Sequence, residues 1–234
     1  LEAEASEIPV SYSRKNGASW DALGGAPVDA GTYKASITLG EDSNTVTVEV
    51  EFTIELKELT VTGATAANKV YDGSNSVTVT GVALSGIAGS DDVKVNTTGL
   101  LGIISSANAG TYRSITLPAL TLIGEKAGNY TLVQPAGAVE TSVTIEKASA
   151  APNLPEATKT VEFSVKKVSA VTLPTGWVWA AGDTSKDLTA GSRVTATAVY
   201  NGADKGNYSV ETVVVFITRK ACAHAGATEL RSVA

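Results

Sequence analysis

Cysteine, histidine, methionine, positive charge and long apolar runs are scarce or missing in this chain, and each gap removes a class of chemistry. The 234 residues hold one Cys, one His and no Met. A single cysteine leaves no intrachain disulfide to staple the fold. Cys222 and His224 stand beyond the last strand-like run, as half of a tetrahedral metal site with nothing to complete it, and read as a tail. Nucleophile triads have no histidine outside that tail, and no Gly-x-Ser-x-Gly elbow occurs. No apolar run approaches the ~20 residues that span a bilayer as a helix, so no membrane insertion is expected. With 18 Lys and Arg against 24 Asp and Glu, the net charge of −6 argues against nucleic acid, because nothing would neutralise phosphates. The abrupt start at Leu1-Glu2-Ala3 without Met reads as a segment of a longer protein, with any signal peptide or wall anchor outside it.

What remains is globular. Hydrophobic residues make up 43% and charged ones 18%, and 22 glycines with only 7 prolines suit strands joined by tight turns. The length allows two or three small domains. Two phrases recur. Asp29-Ala30-Gly31-Thr32-Tyr33 returns as Asn108-Ala109-Gly110-Thr111-Tyr112, 79 positions on (110 − 31 = 79). Gly128-Asn129-Tyr130 returns as Gly206-Asn207-Tyr208, 78 positions on (206 − 128 = 78). A period this long exceeds helical-solenoid and propeller repeats and suits a small domain, which favours beads on a string.

The clearest predicted strand covers residues 45–54, where Val46, Val48, Val50, Phe52 and Ile54 share one face and Thr or Glu fills the other. Its hairpin partner is residues 33–39, with Tyr33, Ala35, Ile37 and Leu39 inward and a polar turn at 40–44. Two adjacent one-sided strands demand a second sheet to cover them. Further strands are predicted at 112–122, 130–133, 139–145, 161–165, 193–200 and 210–217, with no helix longer than two turns. Similar endings at 53–57, 144–147 and 216–220 divide the chain into modules at 1–57, 58–148 and 149–220 and a tail at 221–234. Residues 148–155 read as a linker stiffened by Pro152 and Pro155. In the divergent third module, Ala190-Gly191-Ser192-Arg193 stands where the tyrosine phrase is expected.

In the repeated phrase, Gly31 and Gly110 permit a tight entry to a strand, while Tyr33 and Tyr112 enter the core with hydroxyls in reach of backbone carbonyls. This resembles the tyrosine corner of immunoglobulin-like sandwiches, with Ala35 and Ser114 where the second disulfide cysteine would stand. Asn68-Lys69-Val70-Tyr71-Asp72-Gly73, the second tyrosine phrase and Ala127-Gly128-Asn129-Tyr130 are similar to the YDG repeat of bacterial surface proteins. The first module, around Val28-Asp29-Ala30-Gly31-Thr32-Tyr33, resembles the companion MBG-type Ig-like repeat, and together the resemblance covers residues 8–148. It implies an all-β fold of tandem immunoglobulin-like β-sandwich modules in an extended array. Tyr33, Tyr112, Gly31, Gly110, Tyr71, Asp72, Gly73, Tyr130 and Tyr208 are then structural motif residues. It further implies a non-catalytic spacer or adhesive segment outside a bacterial cell, at its surface or wall. No catalytic residue and no cofactor follow from it. Its partners would be neighbouring modules and a host or cell-wall protein or glycan.

Trp177 and Trp179 share one face of a predicted strand, and such a pair, with Trp20 as a lesser candidate, could stack on a sugar. That arrangement would suit the alternative, a carbohydrate-binding module of a secreted enzyme; core packing is the competing expectation. Asp91-Asp92 and Asp183 with Asp187 could ligate calcium, but neither follows the Asp-x-Asp-x-Asp-Gly pattern, and solvated turns are expected. Sequons at Asn96, Asn129 and Asn207 are expected by chance in a Thr-rich chain. Leu173-Pro174-Thr175-Gly176 resembles a sortase signal but lacks the residue between Pro and Thr and reads as a turn.

Overall fold

A computed structural model of the chain describes residues 9–40 and 45–222. The fold is all-β, with 50% of residues in strands and no α-helix among the described residues. The chain forms two compact units that interleave in sequence. The first takes the described residues of Leu1–Ala67, Ser76–Ser105 and Tyr112–Val143; the second takes those of Asn68–Asn75, Ser106–Thr111 and Thr144–Ala234.

In the first unit, β1 (Ser11–Asn16), β2 (Ser19–Leu23), β3 (Gly31–Leu39) and β4 (Val46–Ile54) form one antiparallel sheet in the order β2-β1-β3-β4. The β3 and β4 register sets Tyr33 opposite Phe52, Ala35 opposite Val50, Ile37 opposite Val48 and Leu39 opposite Val46. These are the two apolar faces that the period-two pattern predicts, on one side of the sheet. Of the turn expected at 40–44, residues 41–44 lie outside the described residues. Among the described residues no second sheet covers this face: Val46, Val48 and Val50 are 63%, 55% and 60% exposed. The four strands among the described residues of this segment are all used in one sheet, and none of them lies across it.

The chain continues through β5 (Lys57–Ala66), β6 (Lys69–Val70), β7 (Ser76–Ser85), β8 (Lys94–Val95), β9 (Leu101–Ile103), β10 (Gly110–Ile115), β11 (Leu122–Ile123), β12 (Tyr130–Val133) and β13 (Val139–Glu146). One sheet runs β12-β5-β7-β9, with β12 parallel to β5, and a small one joins β11 to β8. Register shifts between Val61 and Gly63 and between Thr65 and Ala66 break the period of β5. Leu59, Val93 and Tyr130 are buried together with Leu84, Leu122 and Leu132 against them. Val77, Val79, Ile104, Ile115 and Val143 are also buried. β13 runs on into the second unit, where Ile145 and Glu146 pair in parallel with Lys69 and Val70 of β6.

The second unit is completed by β14 (Thr158–Val161), β15 (Trp177–Trp179), β16 (Arg193–Tyr200) and β17 (Thr212–Arg219), in the order β14-β17-β16-β15. Strict alternation on β16 and β17 buries Ala196, Ala198, Tyr200, Val215 and Ile217 around Trp177, Trp179, Val168 and Leu188. Residues 148–151 are no free linker. Ala148 N–H bonds to Asn207 O at 2.9 Å, Ser209 N–H to Ala148 O at 2.8 Å and Ala151 N–H to Val210 O at 3.0 Å. The strand predicted at 161–165 instead ends at Val161, and Val165 N–H folds back to Glu162 O at 3.0 Å in a turn.

Candidate functional site

The two recurring phrases meet. In the first unit, Ala30 stands just before β3 and its N–H donates to Asn129 Oδ1 at 2.9 Å. Asn129 Nδ2 returns a bond to Asp29 Oδ1 at 2.8 Å, and Lys126 Nζ lies 2.7 Å from the same oxygen. In the second unit, Ala109 N–H donates to Asn207 Oδ1 at 2.8 Å, and Asn207 Nδ2 donates to Asn108 Oδ1 at 3.0 Å. Each asparagine side chain thus reads one backbone N–H and the side chain before it, a two-point clasp of an Asx-Ala-Gly turn. Gly31 and Gly110 share a φ of 156°, so the gripped backbone has the same shape in both places.

Tyr33 locks the first clasp from below. It is 2% exposed, and its hydroxyl donates to Asp29 O at 2.7 Å. Tyr112 differs from the sequence expectation: it is half-buried, because the alternation slips along β10 and the buried position falls on Ile115. Tyr130 is buried, donates to Asp91 Oδ2 at 2.6 Å and accepts Ala88 N–H at 2.9 Å. This tyrosine occupies the aspartate that the calcium reading required.

Around the second clasp stands a tyrosine cluster. Asp204 accepts Tyr200 at 2.8 Å on Oδ1, and Tyr208 at 2.7 Å and Tyr71 at 3.4 Å on Oδ2. Tyr208 meets Tyr71 and Tyr200 edge to face at 5.5 Å and 5.6 Å. Tyr71 is held there by its own turn. Asp72 Oδ1 accepts Ser74 N–H at 2.9 Å, an Asx turn completed by Gly73 at φ 79°, and Lys69 Nζ bonds Asp72 at 2.7 Å. The Tyr-Asp-Gly triplet therefore shapes a loop and aims one ring at Asp204.

These bonds shift the titrating groups. The Tyr208 hydroxyl, then the Tyr200 hydroxyl, hold the Asp204 carboxyl below its ordinary value, and the bond to Asp204 pushes Tyr208 strongly up. Lys126, then Asn129, hold Asp29 below its ordinary value. A depressed carboxylate gives stability that is complete above its unfolded value, ~3.9, and is lost as pH falls through the folded value. A raised tyrosine gives stability complete below its unfolded value, ~10, and lost as pH rises through the folded one. Melting temperature against pH should therefore fall at both ends, below about 4 and above about 10. Asp204→Asn should flatten both limbs, since one carboxylate feeds both; limbs unchanged in that variant would refute the assignment.

The other sequence candidates fall elsewhere. Trp177 and Trp179 are 5% and 9% exposed, with Nε1 donating to Pro152 O and Val171 O, so no exposed indole pair is available to a sugar. The large core of the second unit takes both rings. Trp20 is half-buried, with the ammonium groups of Lys15 and Lys34 over its ring at 5.8 Å and 4.8 Å. Asp183 pairs with Lys186 and accepts Thr197 N–H, while Asp187 pairs with Lys167. Among the described residues, no three His, Cys, Asp or Glu stand together to hold a metal. Among the described residues, no helix is long and apolar enough to cross a membrane. Cys222 is exposed, and His224 lies outside the described residues.

Sequence reasoning set the sequon residues Asn129 and Asn207 aside as chance; their side chains are the clasps. A signal was present: Ala30 to Asn129 spans 99 positions and Ala109 to Asn207 spans 98. Two repeated phrases at a nearly constant offset are candidates for mutual contact.

The geometry describes an all-β chain whose shared phrases hold segments of that chain together. Residues 55–138 match the YDG domain family. No curated protein matches the chain. Among solved structures, cadherin-like domains 1 to 4 of zebrafish RET align over 92% of this chain at 9% identity with a TM-score of 0.20, and the chain spans 65% of that structure's length. A score that low defines no common fold.

Proposed function

We propose that this chain is a non-catalytic segment of a bacterial cell-surface or wall-associated protein, built of tandem immunoglobulin-like modules, MBG-type then YDG-type then divergent, that spaces or presents an adhesive partner. The observation that carries this reading is the repeated clasp. The residues most shared between repeats, Ala30 with Asn129 and Ala109 with Asn207, spend their hydrogen bonds on the chain itself. A catalytic set would instead bring a nucleophile, a base and its orienting group together in a concave pocket. The YDG match over residues 55–138 supports the YDG-type assignment for the middle of the chain. Burial of Trp177 and Trp179 counts against the carbohydrate-binding alternative.

The experiment is surface display. An epitope placed at the outer end of one, two or three tandem copies of the chain on a bacterial cell should become more accessible to an antibody with each copy. The purified chain should show no saturable binding to cell-wall or host polysaccharides and no hydrolysis of them. Accessibility that ignores copy number would remove the spacer role, and saturable polysaccharide binding would restore the carbohydrate-binding one.

A further inference from the structure

The two clasps follow one plan and carry different charges. At the first, the gripped phrase opens with Asp29, and the residue three before the clasp asparagine is Lys126, 2.7 Å from Asp29 Oδ1. At the second, the phrase opens with the neutral Asn108, and the residue three before Asn207 is Asp204. The Asp204 carboxylate is taken by the Tyr200 and Tyr208 hydroxyls. Its backbone carbonyl shares the Asn207 amide with Asn108 Oδ1, each at 3.0 Å. Opening residue and minus-three residue thus combine as Asp with Lys, and as Asn with Asp.

We propose that these two positions form a charge code that decides which Asx-Ala-Gly phrase a given Gly-Asn-Tyr turn accepts. The bond from the alanine N–H to the asparagine Oδ1 is common to both clasps, so it supplies affinity without choice. Choice comes from charge. An aspartate opening is neutralised beside Lys126, whereas the minus-three residue of the second clasp offers no cation: it turns its backbone carbonyl to the amide and adds a negative charge close by, on the tyrosines. A carboxylate left without its cation and near another negative charge penalises the wrong pairing, as a matched ion pair favours the right one. An asparagine opening carries no charge and needs no cation, so it suits a turn that lacks one. The partner recognised is therefore an Asx-Ala-Gly turn of matched charge, and the order of modules is written at the two positions. The code holds whatever the segment spaces or adheres to.

Hydrogen exchange on the full chain tests it, with the Ala30 amide reporting the first clasp and the Ala109 amide the second. Lys126→Asp brings the second clasp's minus-three residue to the first. Ala30 protection should fall about tenfold at low salt, the scale of an exposed ion pair lost and a like charge gained. Adding Asp29→Asn rebuilds the second clasp's combination at the first and should return protection to within about threefold of the native chain. Ala109 protection should not change in either variant, and salt of about 0.5 M should shrink the Lys126→Asp loss. Unchanged Ala30 protection in Lys126→Asp, or no recovery with Asp29→Asn, overturns the code. So does a loss shared by Ala109 or untouched by salt, which would give Lys126 a role in folding and none in choice.

Discussion

Replacing Tyr33 by alanine is expected to destabilise the first unit by about 3–5 kcal/mol, and replacing it by phenylalanine by about 1. The ring is buried against Phe52, with centroids 5.7 Å apart, so truncation leaves a cavity under β3 and β4. The hydroxyl does separate work: it binds the Asp29 carbonyl and so fixes the turn whose next N–H the clasp reads. A β-carbon on Gly31 would lie 3.2 Å from that hydroxyl, which shows how closely the tyrosine folds under the glycine. Tyr112 occupies the same place in the second phrase yet is half-buried, so Tyr112→Ala should cost only about 1–2 kcal/mol. Denaturant unfolding of the three variants checks the ranking. Equal losses at Tyr33 and Tyr112, or native stability in Tyr33→Ala, would show that the phrase is not a core anchor.

How much of this was legible in the sequence depends on the kind of interaction. Strand β4 was plain, because apolar and polar residues alternate without a break from Val46 to Ile54, even though most of the apolar face is exposed. Strands β16 and β17 were plain for the same reason. β5 and β7 were harder: two register shifts interrupt their pairing, and Gly81 sits where a β-carbon would come within 2.6 Å of Thr65 Oγ1. Each bulge moves the apolar residues to the other face and erases the pattern. What covers a face is a tertiary fact, and the pattern of Val46, Val48 and Val50 carries no trace of the missing second sheet. The clasp was half legible. Both halves announced themselves as repeated phrases, but an amide gripping a backbone N–H across about 100 positions leaves no period and no composition signal. Asp204 was invisible for a related reason, since an aspartate between Ala203 and Lys205 reads as a solvated turn until three tyrosines are folded onto it.

The clasps also explain why asparagine stands in the Gly-Asn-Tyr phrase. Only a side chain with an acceptor and a donor on one planar head can take the Ala30 N–H and return a bond to Asp29 at once. Aspartate would lose the donor, and at the first clasp it would face Asp29. Asn207 does the same while 5% exposed, where an unmet amide is costly. The tyrosine that follows is used differently in each unit. Tyr130 closes on Asp91 within a core, whereas Tyr208 joins the cluster on Asp204.

The largest expected loss in the second unit comes from its tryptophans. Trp179→Ala should cost about 3–5 kcal/mol, because the indole lies in the core beside Val168, Val171 and Ala198 and its removal opens a cavity the sheet cannot close. It also strands the Val171 carbonyl, whose partner is Trp179 Nε1 at 2.8 Å. Trp177→Ala should cost a similar amount, about 3–5 kcal/mol, by losing the contact to Tyr200 and the bond to Pro152 O. Because Tyr200 in turn holds Asp204, that variant should also weaken the second clasp and raise exchange at the Ala109 amide. Val178, between them and exposed, should tolerate alanine within about 0.5 kcal/mol, which separates burial from position on the strand. Denaturant unfolding followed by tryptophan fluorescence and far-ultraviolet circular dichroism measures all three. If Trp177→Ala and Trp179→Ala kept native stability while abolishing binding to a polysaccharide, both indoles would belong to a sugar site, and the reading of this unit as a structural module would fall with its core.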